Sequence, residues 1–169
     1  MTHSRCWNSK SRLKTAREEG AGLGQITRAW NPDGTLRFDA LNELRKRHPR
    51  DLYEWSWGNV YDRPDLQIRG VVLKLLDDFK VLRPYSKSDA QALKFADAAY
   101  NGGLGGLNKE RRACVIKPGC DPGMWDGHVE HLCMKSKVAL YGNRSACDIN
   151  RYHVKDVFDV RTQKYKQFF

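Results

Sequence analysis

Two short segments of this chain bring together residue types that can grip a polar ring. In Glu18-Glu19-Gly20-Ala21-Gly22-Leu23-Gly24-Gln25-Ile26-Thr27, small residues let the backbone pass close to a ligand. Gln25 adds an amide that both donates and accepts. In Ala98-Ala99-Tyr100-Asn101-Gly102-Gly103-Leu104-Gly105-Gly106, a phenol and an amide arrive together at a glycine-rich exit. A tyrosine can stack on a pyranose face and hydrogen-bond its hydroxyls, and an asparagine can engage an acetamido group in both directions. Plainer readings compete with these: a structural loop for the first segment, a helix cap followed by a loop for the second. The first segment fits neither the dinucleotide fingerprint nor the Walker A loop, and no strand is expected ahead of it, which argues against a phosphate cradle.

The elements that must position these residues are read from apolar spacing and caps. Residues 1–34 read as irregular and turn-rich, with Asn31-Pro32-Asp33-Gly34 as a tight turn or hairpin. A short helix follows around Leu41 and Leu44, capped by Asp39, closed by basic Arg45 to Arg47 and stopped by Pro49. Leu66 to Leu82, behind Pro64, is expected to form a buried central helix. Ser88 caps a further helix that ends at Asn101-Gly102-Gly103, which places Tyr100 and Asn101 at its exit. A loop carrying glycines and cysteines comes next. Two more helices are then expected, Val129 to Tyr141, closed by Gly142, and Ile149 to Tyr165, opened by Asp148. Strand candidates are confined to Thr35 to Phe38. The fold class is therefore mainly α, a helical bundle with a small hairpin or irregular region near its start, in one domain over residues 1–169.

A net charge of +10 spread along the chain implies an anionic partner, and charge alone does not choose among nucleic acid, lipid headgroups and cell-envelope polymers. No apolar run reaches the ~20 residues that a membrane helix needs. The start of the chain carries no export signal, so work outside the cytoplasm requires another delivery route. Five cysteines, Cys6, Cys114, Cys120, Cys133 and Cys147, are many for this length. Disulfides such as Cys114 with Cys120 or Cys133 with Cys147 suit an envelope-acting protein. A zinc site using His128 and His131 fits poorly, because the tight Cys-x2–4-Cys knuckle is absent.

Taken as a pair, Gly-Leu-x-Gln followed by Ala-Tyr-Asn-x-Gly on a later helix resembles the lytic transglycosylases of glycoside hydrolase family 23, and among them the phage endolysins and virion-associated lysins. The resemblance extends over Asn8, the Phe38-Asp39 region and Cys147-Asp148-Ile149-Asn150-Arg151. It implies a lysozyme-like α+β fold and cleavage of the bond between N-acetylmuramic acid and N-acetylglucosamine in bacterial peptidoglycan. In that family one glutamate first gives a proton to the glycosidic oxygen. It then helps the sugar's 6-hydroxyl attack the anomeric carbon, leaving a 1,6-anhydro end. The task needs a carboxyl whose pKa is raised by apolar surroundings.

Substrate contacts carried over by the resemblance are Gly22, Leu23, Gln25, Tyr100, Asn101 and Gly103. The family's acid stands in a Glu-Ser pair well ahead of Gly-Leu-x-Gln, and the matching position here falls before Met1. The sequence thus reads as an amino-terminally shortened member in which Glu19, and next Glu18, are the substitute acids. No cofactor or metal is implied. The partner is the peptidoglycan glycan strand, met in the periplasm by a monomer that holin-type release, lysis or a virion delivers. Three other readings compete. One is a hydrolytic muramidase with Asp33 or Asp39 placing water, its carboxyls ~6.5–9.5 Å apart. Another is a glycan-binding remnant without turnover. The last is a basic nucleic-acid-binding module using Trp55 and Trp57, for which the recognised motifs are absent.

Overall fold

The computed structural model describes residues 8–168, without the side chains of Tyr141 and Phe168. Among them the chain is a mainly helical α+β protein with six α-helices and a small antiparallel sheet. It divides into two compact units, residues 1–74 and 75–169, with the boundary inside one continuous helix. No helix is long and apolar enough to cross a membrane among the described residues.

The first unit opens on four antiparallel strands in sequential order, β1 (Arg12–Lys14), β2 (Glu18–Ala21), β3 (Ile26–Trp30) and β4 (Leu36–Asp39). Three of them lie where an irregular region was expected. β1 and β2 are mostly charged or small and carry little β-propensity, so pairing with β3, whose Ile26, Thr27 and Trp30 favour a strand, supplies what local preference withholds. The β1–β2 turn lacks glycine and is built by Thr15, whose hydroxyl accepts from the Arg17 and Glu18 amides. The hairpin expected at Asn31 to Gly34 joins β3 to β4.

Helix α1 (Ala40–Arg47) begins at Asp39, whose side chain accepts from the Asn42 amide, and ends in the three basic residues. Pro49 opens the short α2 (Pro49–Leu52). The expected central helix is α3 (Pro64–Leu82). Leu41, Leu44, Leu52, Trp55, Val60 and Leu66 close the first core over Ala21 and Ile26 of the sheet.

In the second unit Ser88 caps α4 (Asp89–Gly102) through the Gln91 amide, and Gly103, at φ 83°, ends it. The glycine-bearing stretch after it is not a loop but α5 (Leu104–Val115). Leu107 and Cys114, seven apart, are its buried apolar face and were the signal available in the sequence. The helix expected over Val129 to Tyr141 is absent. A single 3-10 turn (Val129–His131) precedes an extended segment and a hairpin of β5 (Ala139–Tyr141) and β6 (Arg144–Ser145), in which Gly142 takes the left-handed turn position.

The last α-helix, α6 (Ala146–Lys155), starts earlier than expected, because Ser145 rather than Asp148 is its cap. Asp148 serves as the third residue of a capping box and reaches back to the Ser145 amide. Beyond Lys155 the chain winds through a π turn and a 3-10 stretch instead of continuing as α-helix to Tyr165. The second core gathers Phe95, Ala96 and Ala99 of α4, Leu107 of α5, Trp125, Val129 and Val154.

Because Ser145 satisfies the free Asp148 amide of α6, Ser145→Ala should lower the stability of the protein by about 1 kcal/mol. A denaturant midpoint measured against the unchanged protein reads this directly, and an unaltered midpoint would refute the capping role.

Candidate functional site

The first motif is the turn between β2 and β3, so a strand does precede it. It leads into another strand instead of a helix, and its Gly22, Leu23 and Gln25 amides are already bonded, to the Ser11 carbonyl, the Gln67 side chain and the Gly22 carbonyl. Gly22 sits at φ 69°, and a Cβ there would lie 2.4 Å from the Gln67 carboxamide. That carboxamide accepts from the Leu23 amide at 2.8 Å and donates to the Ser9 carbonyl at 3.0 Å. Gln25, itself at φ 48°, turns its side chain inward: Nε2 donates to the Gly22 carbonyl at 2.8 Å and to the Ser11 hydroxyl at 3.1 Å. The Gln25 amide nitrogen therefore braces its own loop. Sequence reasoning had passed over Gln67, the buried residue that seats the loop.

Glu18 and Glu19 are neighbours on one strand and point to opposite faces of the sheet. Glu19 is buried, 3% exposed, among cations. Arg12 Nε donates to its Oε1 at 2.9 Å, Arg28 Nη2 to its Oε2 at 2.8 Å, and Tyr61 reaches Oε1 at 3.3 Å. Burial raises the carboxyl's pKa, but hydrogen bonds and charge from Arg28 and Arg12 outweigh it and hold Glu19 below its ordinary value of 4.5. At neutral pH Glu19 is ionised, so it has no proton to deliver.

A second carboxyl for placing water is no better served. Asp39 is the register partner of Arg28, which is also the register partner of Glu19, so the arginine stands between the two acids. The Arg28 guanidinium stacks 4.3 Å over Trp57, whose indole N–H donates to Asp39 at 2.9 Å. Asp33 is absorbed by the hairpin tip, where the Thr35 hydroxyl and amide hold its pKa down. An open depression lined by Phe38, Asp39, Asn42 and Arg45 borders this region and includes none of Gly22, Leu23, Gln25 and Glu19.

In the second unit Tyr100, Asn101 and Gly103 follow one another at the exit of α4. Burial raises the Tyr100 phenol's pKa, and the Asp97 and Asp78 carboxylates add to the shift, so the hydroxyl keeps its proton at any working pH. Asp97 on the preceding turn is buried, with one oxygen 3.2 Å from His153 Nε2. Asn101 Oδ1 accepts from Asn150 Nδ2 at 3.2 Å, and the same nitrogen donates to the Ala98 carbonyl at 3.0 Å. Lys135 Nζ donates to the Gly102 carbonyl at 2.7 Å, and burial lowers its pKa. A Cβ on Gly102 would lie 2.5 Å from that nitrogen and 2.7 Å from Asn150 Nδ2, so a larger residue there would have to displace the lysine and press on the buried asparagine.

Two disulfides are closed, Cys114–Cys120 and Cys133–Cys147. The first ties the end of α5 to the following loop. The second fastens the segment bearing Lys135 to the first turn of α6, one turn before Asn150. With these four sulfurs bonded to one another, the zinc reading loses its thiolates. Cys6 lies outside the described residues. Asn150 and Arg151 belong to a segment that the resemblance had included without giving either a role. No protein-family model, curated protein or solved structure matches the chain.

Glu19 also sets a pH dependence. Its folded pKa is depressed, so its stabilisation is full above the unfolded value and is lost as pH falls through the folded one. Glu19→Gln should cost about 1–3 kcal/mol at pH 7, less than a fully buried pair because Arg12 is half exposed. The difference between the two proteins should shrink on acidification below pH 4.5. Equal denaturant midpoints at pH 7 would rule out this account of the arginine cluster.

Proposed function

We propose that this chain acts on bacterial peptidoglycan, as a lysozyme-like glycosidase of the lytic transglycosylase type that holds the glycan strand at the exit of α4. The observation that carries the reading is Asn101. Its amide stands at a glycine exit, with its oxygen anchored by a buried asparagine and its nitrogen taken by no acceptor among the described residues. An acetamido carbonyl is a fitting acceptor, and Gly103, where a Cβ would meet nothing within 4 Å, leaves the backbone open beside it. A net charge of +10 favours approach to an anionic envelope, with an on-rate that falls as salt rises.

The reaction assigned to this type of protein cleaves the bond between N-acetylmuramic acid and N-acetylglucosamine and leaves a 1,6-anhydro end. A second reading, glycan binding without turnover, is favoured by the state of Glu19. An ionised carboxylate held by two arginines cannot serve as the general acid of this reaction. A water-using muramidase has less support, since Asp33 and Asp39 are both engaged in local structure.

Purified peptidoglycan separates these outcomes. Anhydro-muramyl ends by mass analysis establish the transglycosylase, reducing ends the hydrolase, and co-sedimentation without either product the binding protein. Absence of both products and binding rejects the cell-wall assignment. In the sedimentation assay Asn101→Ala should weaken binding by about tenfold, the loss expected when one hydrogen bond to the ligand disappears.

A further inference from the structure

The direction in which Asn101 offers its amide is decided two residues away. Glu110 of α5 is buried, 1% exposed, and its carboxylate accepts from Arg151 Nη2 at 2.7 Å and from the Met134 amide at 3.1 Å. The same guanidinium lies 4.8 Å from the Trp125 ring and donates through Nε to the Glu130 carbonyl at 2.7 Å. Arg151 is thus fixed from three sides. Its remaining nitrogen, Nη1, donates to Asn150 Oδ1 at 2.6 Å.

A guanidinium has donors only. The Asn150 side that faces it must therefore be the oxygen, and the Asn150 nitrogen must face the other way, toward Ala98 and Asn101. An amide nitrogen in turn cannot accept, so Asn101 must present its oxygen to Asn150. The Asn101 NH2 is left on the side away from the buried Asn150. One charge thus dictates the polarity of a chain of two amides that are otherwise nearly symmetric in shape.

We infer that Arg151 and Asn150 are positioning residues that fix Asn101 as an outward hydrogen-bond donor, so that the α4 exit selects a sugar substituent that accepts, an acetamido carbonyl, over a de-N-acetylated ammonium group. The choice of ligand rests on the glycan reading above, whereas the polarity of the amides does not. An ammonium group has donors only and would meet the Asn101 NH2 with like polarity. Bacterial glycan strands stripped of their N-acetyl groups would then escape this chain.

The test has two arms on the full, oxidised chain. In the first, amide proton exchange is followed by NMR, the Asn101 side-chain signals being identified by their loss in Asn101→Asp. Slow exchange at the Asn150 NH2 with fast exchange at the Asn101 NH2 is expected. The reverse pattern overturns the polarity without any ligand or folding-sensitive variant. In Asn150→Asp the new carboxylate can only accept, so the Asn101 amide should turn over and its NH2 protons become protected.

The second arm titrates an N-acetylglucosamine tetramer and its de-N-acetylated counterpart. The unchanged protein should prefer the acetylated form by about tenfold. Asn150→Asp, which turns the Asn101 oxygen outward, should bring that ratio to one or below, whereas damage to packing alone would weaken both affinities and leave the ratio intact. Binding of both tetramers without preference overturns the selectivity. Binding of neither counts against the glycan reading, while the exchange pattern still decides the polarity.

Discussion

Glu110 is a carboxylate taken almost wholly out of water, and the arrangement around the α4 exit depends on how that charge is matched. An uncompensated ion in such a place costs several kcal/mol, so the fold has to supply a cation held in register with it. Arg151 fills that role from α6 through Nη2, which also reaches the Val129 carbonyl, and its other two nitrogens are spent on the Glu130 carbonyl and on Asn150. A planar fork of donors is rigid in a way that a lysine ammonium is not, so matching the charge also sets directions. Asn150, Ala98 and Asn101 inherit those directions through hydrogen bonds that admit one polarity.

The first unit uses the same chemistry for a different end. Glu19 is also buried and also matched by arginines, yet each of its oxygens is taken by a cation that belongs to the sheet. Arg12 and Arg28 come from the strands on either side of β2, so the ion pairs lock strand register. Arg28 further stacks on Trp57, which joins the sheet to the segment behind α2 through Asp39. A carboxyl poised for proton transfer needs its charged form to be disfavoured, and this environment favours it. The two buried glutamates thus anchor structure, one in each unit, and the polarity that reaches a surface is the one relayed through Asn150.

Both disulfides bear on the second unit, where regular structure is thinnest. Between α5 and α6 the described chain has a single 3-10 turn and a short hairpin, the rest being joined by isolated turn hydrogen bonds rather than by a regular ladder. Cys114–Cys120 and Cys133–Cys147 close short loops at the two ends of that stretch. The second carries Lys135 to the Gly102 carbonyl, a partner for the open end of α4 that glycines alone would leave to water. Loops this irregular keep one conformation when covalent closure lowers the entropy of their alternatives.

The amino-acid sequence by itself determined the elements whose signals are local. Asp39 and Ser88 as caps, Pro49 and Gly103 as stops, the turn at Asn31 to Gly34 and the long α3 were all legible, because a cap or a glycine in the left-handed region acts within a few residues. So was the arrival of Tyr100 and Asn101 together at a helix exit. Tertiary structure alone decided the β1 and β2 strands, whose mostly charged and small residues hold by pairing across the sheet, and α5, whose glycines imitate a loop until its Leu107 and Cys114 face is buried. It also decided what the candidate residues do. Gln25 faces its own turn, Glu19 meets two arginines from other strands, and Asn101 takes its polarity from a guanidinium far along the chain. These are contacts between segments distant in sequence, and a residue's ionisation and hydrogen-bond direction depend on what surrounds it rather than on what precedes it.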